Sequence, residues 1–114
     1  MEEALLVGAG GAVGATGRYL TGVALDAYPS TITTVTVNVI GSFVLGLLTF
    51  SAVGNDLALF VGVGVCGAYT TFSSFSFQTV DLWRHGQPGY AVLYAVGNLV
   101  LAAGAVGVAW LVVS

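Results

Sequence analysis

Residues Gly67 to Gln78, GAYTTFSSFSFQ, place two threonines, three serines and three phenylalanines within a long apolar segment. A hydroxyl moved into hydrocarbon without a hydrogen-bond partner costs roughly 4–8 kcal/mol on alkane-like scales. We therefore expect this stretch to face other protein groups or to line a polar path. Gly67, Thr70 and Thr71 also weaken a helix. Backbone carbonyls freed at such a point in a membrane helix are tolerated only where something binds or covers them.

The composition around this stretch is typical of an integral membrane protein. Of 114 residues, 57% are hydrophobic and only 6% are charged, whereas soluble domains carry about 25% charged residues. One helical span needs about 20 apolar residues, so the length allows four spans, at about residues 4–25, 31–53, 57–82 and 89–113. We expect an all-α fold in which residues 1–114 form a single four-helix transmembrane domain, multi-pass in the cell membrane and surrounded by lipid.

Several polar residues in the expected spans need partners. Arg18 lies in or beside the first span, where a charge at mid-bilayer costs about 2.5–3.5 kcal/mol on insertion scales. Its side chain either reaches an interface beside Tyr19, or anchors a protein contact or draws anions toward an entrance. Asn38 lies deep in the second span, where its amide bonds another helix or offers two donors to an anion. Tyr94 and Asn98 share a face of the fourth span because they are four residues apart.

The basic residues are too few to fix the orientation of the chain in a membrane. Only Arg18 and Arg84 are available to the positive-inside rule, and they give a bias of at most two charges. Weak bias permits insertion in both orientations, so an antiparallel homodimer is possible. The net charge is −3, and no nucleic-acid partner is expected.

The sequence contains no enzyme constellation. His85 stands alone in an expected loop, and the single cysteine, Cys66, has no partner for an internal disulfide. A small four-span proton-coupled efflux transporter is the alternative that shares this outline, and it needs an ionisable group at depth. The acidic residues are all expected at termini or in loops, at Glu2, Glu3, Asp26, Asp56 and Asp81.

The polar groups that remain within the spans are neutral, so they can solvate an ion without taking a proton. Hydroxyls and amides supply donors, and ring edges carry partial positive charge. Phe72 and Phe75, three residues apart, can therefore border a small anion together, or they simply pack. Carbonyls freed near Gly67 and Thr70 would suit a hard cation such as Na⁺. The other candidates are Asn38, Thr71, Ser73, Ser74, Ser76, Gln78, Tyr94 and Asn98.

Three segments resemble the signature motifs of the CrcB/Fluc fluoride channels: GGAVGATGRY at 10–19, TVNVIGSFVLG at 36–46 and GAYTTFSSFSFQ at 67–78. They follow the family's order, and the resemblance covers most of the chain. It implies a dual-topology dimer of two antiparallel subunits with two narrow pores. It also implies a third helix broken at the TTFS segment and passive, selective export of fluoride from the cytoplasm.

The resemblance further implies roles for individual residues. A structural Na⁺ at the dimer centre would be held by the carbonyls of Gly67 and Thr70 from both subunits. Arg18 matches the arginine that ends the first motif. The residues implied to line or continue the fluoride path are Asn38, Thr71, Phe72, Ser74 and Phe75.

Two positions depart from the family pattern. The family often has Glu where this chain has Gln78, and it usually places small hydroxyl residues after its fourth-span tyrosine, where this chain has Asn98 after Tyr94. These departures leave open that the chain is one subunit of an obligate heterodimer with a paralogue.

Overall fold

The computed structural model describes residues 2–114, and the regular structure in that range is all helical, which confirms the expected all-α class. Helix α3 consists of an α-helical turn, Asn55–Leu57, a π-helical stretch, Ala58–Cys66, and a last α-helical turn, Gly67–Tyr69. The other helices are α1 (Glu2–Ala24), α2 (Ser30–Phe50), α4 (Ser73–Arg84) and α5 (Pro88–Val113).

Three helical segments are long and apolar enough to cross a membrane: Ser30–Phe50, Asn55–Arg84 and Pro88–Val113. The longest dimension of the structure is 47 Å, close to the roughly 40–45 Å of a bilayer with its headgroups. Helix α1 is outside this set although it has 23 residues, because glycines and Arg18 lower its mean hydropathy. The apolar helices thus account for three of the four expected spans.

Helix α1 packs on α3 through glycines that bring the two backbones together. A methyl group on Gly10 would collide with the carbonyl oxygen of Phe60, and one on Gly14 with the carbonyl oxygen of Val65. A Cβ on Gly64 of α3 would lie 2.8 Å from the Cα of Gly10. Small residues allow this close approach, and packing contacts drive helix association in lipid.

Helix α2 packs along α5 and brings two asparagines face to face. Val37 and Ala109 are almost fully buried, at 1% and 0% exposure, and a Cβ on Gly46 would lie 2.8 Å from the Cβ of Ala109. This close packing sets the register in which Asn38 of α2 lies opposite Asn98 of α5.

Helical structure stops after Tyr69 and resumes at Ser73. Thr70 has an extended backbone, with φ −79° and ψ 162°. The interruption falls inside the polar stretch of the sequence, so residues 70–72 offer backbone groups that a continuous helix would hide.

We predict that Gly14→Ala destabilises the chain by about 1–3 kcal/mol, because the added methyl overpacks the α1–α3 contact. Gly11→Ala is the matched control, since nothing lies within 4 Å of a Cβ at that position. Thermal unfolding of the purified protein in detergent measures both variants. Equal unfolding temperatures for Gly14→Ala and Gly11→Ala would contradict the backbone contact.

Candidate functional site

The side chain of Asn38 on α2 binds the backbone of Thr71 in the interruption. Asn38 Oδ1 accepts the Thr71 N–H at 2.8 Å, and Asn38 Nδ2 donates to the Thr71 carbonyl oxygen at 3.1 Å. Thr71 is buried, with 8% of its surface exposed. One side-chain amide therefore satisfies both backbone groups of a residue that lies outside any helix.

This arrangement releases two carbonyls. In a continuous α-helix the N–H of Thr71 would bond the Gly67 carbonyl, and the N–H of Ser74 would bond the Thr70 carbonyl. Instead, the Thr71 N–H donates to Asn38, and the Ser74 N–H donates to Thr71 Oγ1 at 3.2 Å. Gly67 and Thr70, the two positions expected from the sequence to hold a cation, thereby lose these helical partners.

Arg18 reaches the interruption from α1. Its Nη1 donates to the Thr70 carbonyl oxygen at 3.4 Å, while the residue stays exposed. The sequence left open whether Arg18 reaches the membrane interface or anchors a protein contact, and the structure shows a protein contact. Gly41 on α2 faces the same residue, because a methyl group there would collide with Thr70 Cγ2.

Asn98 on α5 continues the network from the other side. Its Oδ1 accepts from Asn38 Nδ2 at 3.4 Å, and the residue is only 4% exposed. Its own Nδ2 is buried without a partner among the described residues. Leaving a buried donor unpaired costs about 1–3 kcal/mol of free energy. An acceptor that reached the Asn98 amide would therefore bind favourably.

Three aromatic rings form a row beside the network. The centroids of Phe72 and Phe75 are 5.9 Å apart, and those of Phe75 and Tyr94 are 5.8 Å apart, with tilted rings. Phe72 is 78% exposed and Tyr94 is buried. The Tyr94 hydroxyl donates to Gln78 Oε1 at 2.5 Å, which leaves the Gln78 amide nitrogen available as a donor.

Two cavities meet at Thr71. The larger, of about 550 Å³, has polar and aromatic lining residues that include Asn38, Thr71, Phe72, Phe75 and Asn98. The smaller, of about 360 Å³, has polar lining residues that include Arg18, Asp26, Thr34, Thr71, Ser74 and Gln78. The structure thus gathers most of the sequence-predicted site residues around two adjoining spaces.

Sequence reasoning missed several contributors to these spaces, including Asp26, which it placed in a loop. Thr34, which is 4% exposed, lines the smaller cavity, and Ser42 lines the larger one. Four threonines lie within the first seven residues of α2, and they were a signal for Thr34, because their hydroxyls need partners. The contact between Arg18 and the Thr70 carbonyl could not be seen without the packing of α1 on α3.

The site lacks the side chains of an ordinary metal centre. Within residues 2–114, no group of three or more His, Cys, Asp or Glu residues lies close enough to hold a metal ion. Asp81 and His85 pair with each other at 3.3 Å on the exposed end of α4. Any cation at the interruption would therefore depend on backbone oxygens.

Comparison with known proteins agrees with the motifs. The profile of the family described as CrcB-like protein, Camphor Resistance (CrcB), matches residues 5–110. Fluoride-specific ion channel FluC 2 of Haloarcula marismortui is 54% identical over 110 residues, which cover 96% of this chain and 92% of that protein. Fluoride-specific ion channel FluC 1 of Halobacterium salinarum is 47% identical over 111 residues, covering 97% and 93%. Fluoride-specific ion channel FluC of Thermus thermophilus is 43% identical over 110 residues, covering 89% and 86%.

These comparisons confirm the resemblance that the three motifs indicated. The relatives are named as ion channels, which confirms the expectation that the chain is not an enzyme. Together with the three long apolar helices, they confirm a multi-pass membrane protein. The chain belongs to the CrcB family.

Proposed function

We propose that this chain forms a fluoride-selective channel through which F⁻ leaves the cytoplasm by passive permeation. The observation that carries the proposal is that uncharged donors and the Phe72 and Phe75 side chains line two cavities that share Thr71. Fluoride is small and tightly hydrated, so a selective pore has to replace its water with close donors, as channel filters do for other ions. The names of the relatives support the same ion.

The donors and rings are suited to an anion that keeps its charge. The buried Asn98 Nδ2 lacks a protein partner among the described residues, and Gln78 keeps its amide nitrogen free of the Tyr94 bond. The edges of Phe72 and Phe75 would add partial positive charge along the larger cavity. Arg18 at the smaller cavity would attract anions toward it.

The proposed channel has four spans and two subunits. We take α1 as the remaining span, because it packs along α3 through Gly10 and Gly14, and segment 55–84 as a broken third span. The larger cavity is open, and the exposed Phe72 and Val63 lie on its lining. Polar backbone is tolerated at membrane depth only where protein or water covers it. A second copy in the opposite orientation would cover this face, and the weak charge bias permits such insertion.

A Na⁺ at the centre of this dimer is part of the proposal. The Gly67 and Thr70 carbonyls of both subunits would hold it, and their release from helical bonding fits a hard cation that prefers oxygen ligands. The Thr70 oxygen has two lone pairs, of which Arg18 uses one. The ion would supply fixed positive charge between the two pores.

The structure gives little support to a proton-coupled transporter. Asp26 lines the smaller cavity, but no acidic residue is among those lining the larger one within the described chain. Asp81 lies at the exposed end of α4, paired with His85. A heterodimer with a paralogue is the other alternative, and it predicts that this chain alone does not conduct.

The proposed function is tested by ion efflux from liposomes that contain only this chain. We expect fluoride to leave readily, chloride to leave far more slowly, and fluoride flux to persist without a pH gradient, because no titrating group is needed. A fluoride electrode and a chloride electrode measure the two rates. Comparable chloride flux would contradict selectivity, and no fluoride flux would contradict a channel formed by this chain alone.

We predict that Phe75→Ile abolishes fluoride efflux while the dimer remains folded, because an aliphatic side chain has no positive ring edge to offer the anion. Phe77→Ile is the matched control: Phe77 lies on the same helix, is 70% exposed, and is not among the residues lining either cavity. Unchanged efflux from the Phe75 variant would overturn its pore-lining role.

We also predict that Asn38→Asp suppresses fluoride efflux, because it replaces an amide donor with a negative charge beside the larger cavity. Asn55→Asp adds the same charge at the start of α3, away from the residues lining that cavity, and should conduct normally. Normal flux through the Asn38 variant would rule out the proposed route.

A further inference from the structure

We infer that Asn38 and Asn98 are positioning residues that build the carbonyl site for the cation. Asn38 withdraws the Thr71 N–H from the Gly67 carbonyl, and Asn98 fixes the orientation of the Asn38 amide. The inference rests on the Na⁺ site of the proposed function and adds how this chain creates it.

The Thr71 N–H lies in a residue that is only 8% exposed. Buried backbone N–H groups are nearly always paired. If Asn38 Oδ1 were absent, the nearest regular partner of this N–H would be the Gly67 carbonyl, four residues earlier. The Gly67 oxygen is therefore available to a cation only while an acceptor on α2 occupies the Thr71 N–H.

Hydrogen bonds fix the direction of the Asn38 side-chain amide. Its oxygen meets the Thr71 N–H and its nitrogen meets the Thr71 carbonyl. A flipped amide would place donor against donor and acceptor against acceptor at both contacts. It would also point the Asn38 oxygen at Asn98 Oδ1, which now accepts from Asn38 Nδ2 at 3.4 Å. The Asn98 oxygen therefore opposes the flip.

The side-chain amide of Asn98 also has a defined direction. Its amide turns the oxygen toward Asn38, although this leaves its Nδ2 buried without a partner among the described residues. The Asn38 amide, aligned by both backbone groups of Thr71, thus orients Asn98, and the Asn98 oxygen in turn stabilises the Asn38 orientation. Gly41 lets α2 approach closely, since any Cβ there would collide with Thr70. Helix α2 and Asn98 on α5 together shape the carbonyls at the end of α3.

The test is Na⁺-dependent thermal stabilisation of the purified full-length chain in detergent, at constant ionic strength with N-methylglucamine as the replacement cation. A ligand that binds only the folded state raises stability with its concentration, so the Na⁺ concentration for half of the full effect reports the site. We expect Asn98→Leu, which removes the acceptor, to raise that concentration about tenfold, equivalent to ~1.4 kcal/mol. Asn98→Asp keeps an acceptor oxygen and should respond at or below the wild-type concentration.

Two further comparisons separate positioning from general damage. Gln78→Leu removes a nearby amide that bonds Tyr94 and neither of the two asparagines, so its Na⁺ response should match the wild type. Asn38→Leu removes the acceptor for the Thr71 N–H and should lose the Na⁺ response. If Asn98→Leu does not accumulate, Asn98→Ser serves instead, because its hydroxyl ends short of Asn38.

The outcomes distinguish the inference from the function on which it rests. A wild-type Na⁺ response that Asn98→Leu and Asn38→Leu both retain overturns the inference and leaves the Na⁺ site standing. A wild-type chain with no Na⁺ response overturns the Na⁺ site and the inference with it, while fluoride efflux is judged separately. A wild-type Na⁺ response that both leucine variants weaken supports the positioning role, even if the chain shows no fluoride efflux and the channel is refuted.

Discussion

The side-chain amide of Asn38 holds the interruption of the helix at residues 70–72, and the other features of the site depend on it. By bonding both backbone groups of Thr71, it pairs an N–H and a carbonyl that the interrupted helix leaves without their helical partners, and unpaired backbone groups are strongly disfavoured in an apolar setting. The same bonds direct the Thr71 N–H away from Gly67. Carbonyl oxygens and side-chain donors therefore become available within one short stretch of chain.

The site achieves its polarity almost without charge. The buried polar residues are Thr34, Thr71 and Asn98, and the guanidinium of Arg18 reaches only the edge, at the Thr70 carbonyl. Neutral donors can replace the hydration of an anion without titrating, as the proposed fluoride path requires. Fixed charge, from Arg18 and from a cation on the freed carbonyls, would bias that environment toward negative ions.

Composition and spacing predicted the helical membrane class, the weak point near Gly67 to Thr71, and the need of Asn38 for a partner. They could not identify that partner, because it is a backbone group of another helix, and its position depends on the register of α2 against both α3 and α5. The Asn38–Asn98 contact depends on the same packing, and no sequence pattern indicated the π-helical stretch Ala58–Cys66. Mean hydropathy likewise identifies three apolar helices and does not identify α1. The glycines of α1 lower its hydropathy but allow its close contact with α3.

The central claim, that Asn38 takes Thr71 out of the helix, is tested most directly by solid-state NMR of the labelled protein in lipid. The account predicts a through-space dipolar coupling between the Thr71 amide nitrogen and the side-chain carbonyl carbon of Asn38, because that nitrogen lies 2.8 Å from Oδ1. A coupling to the Gly67 carbonyl carbon instead, with none to Asn38, would show a continuous helix and contradict the account.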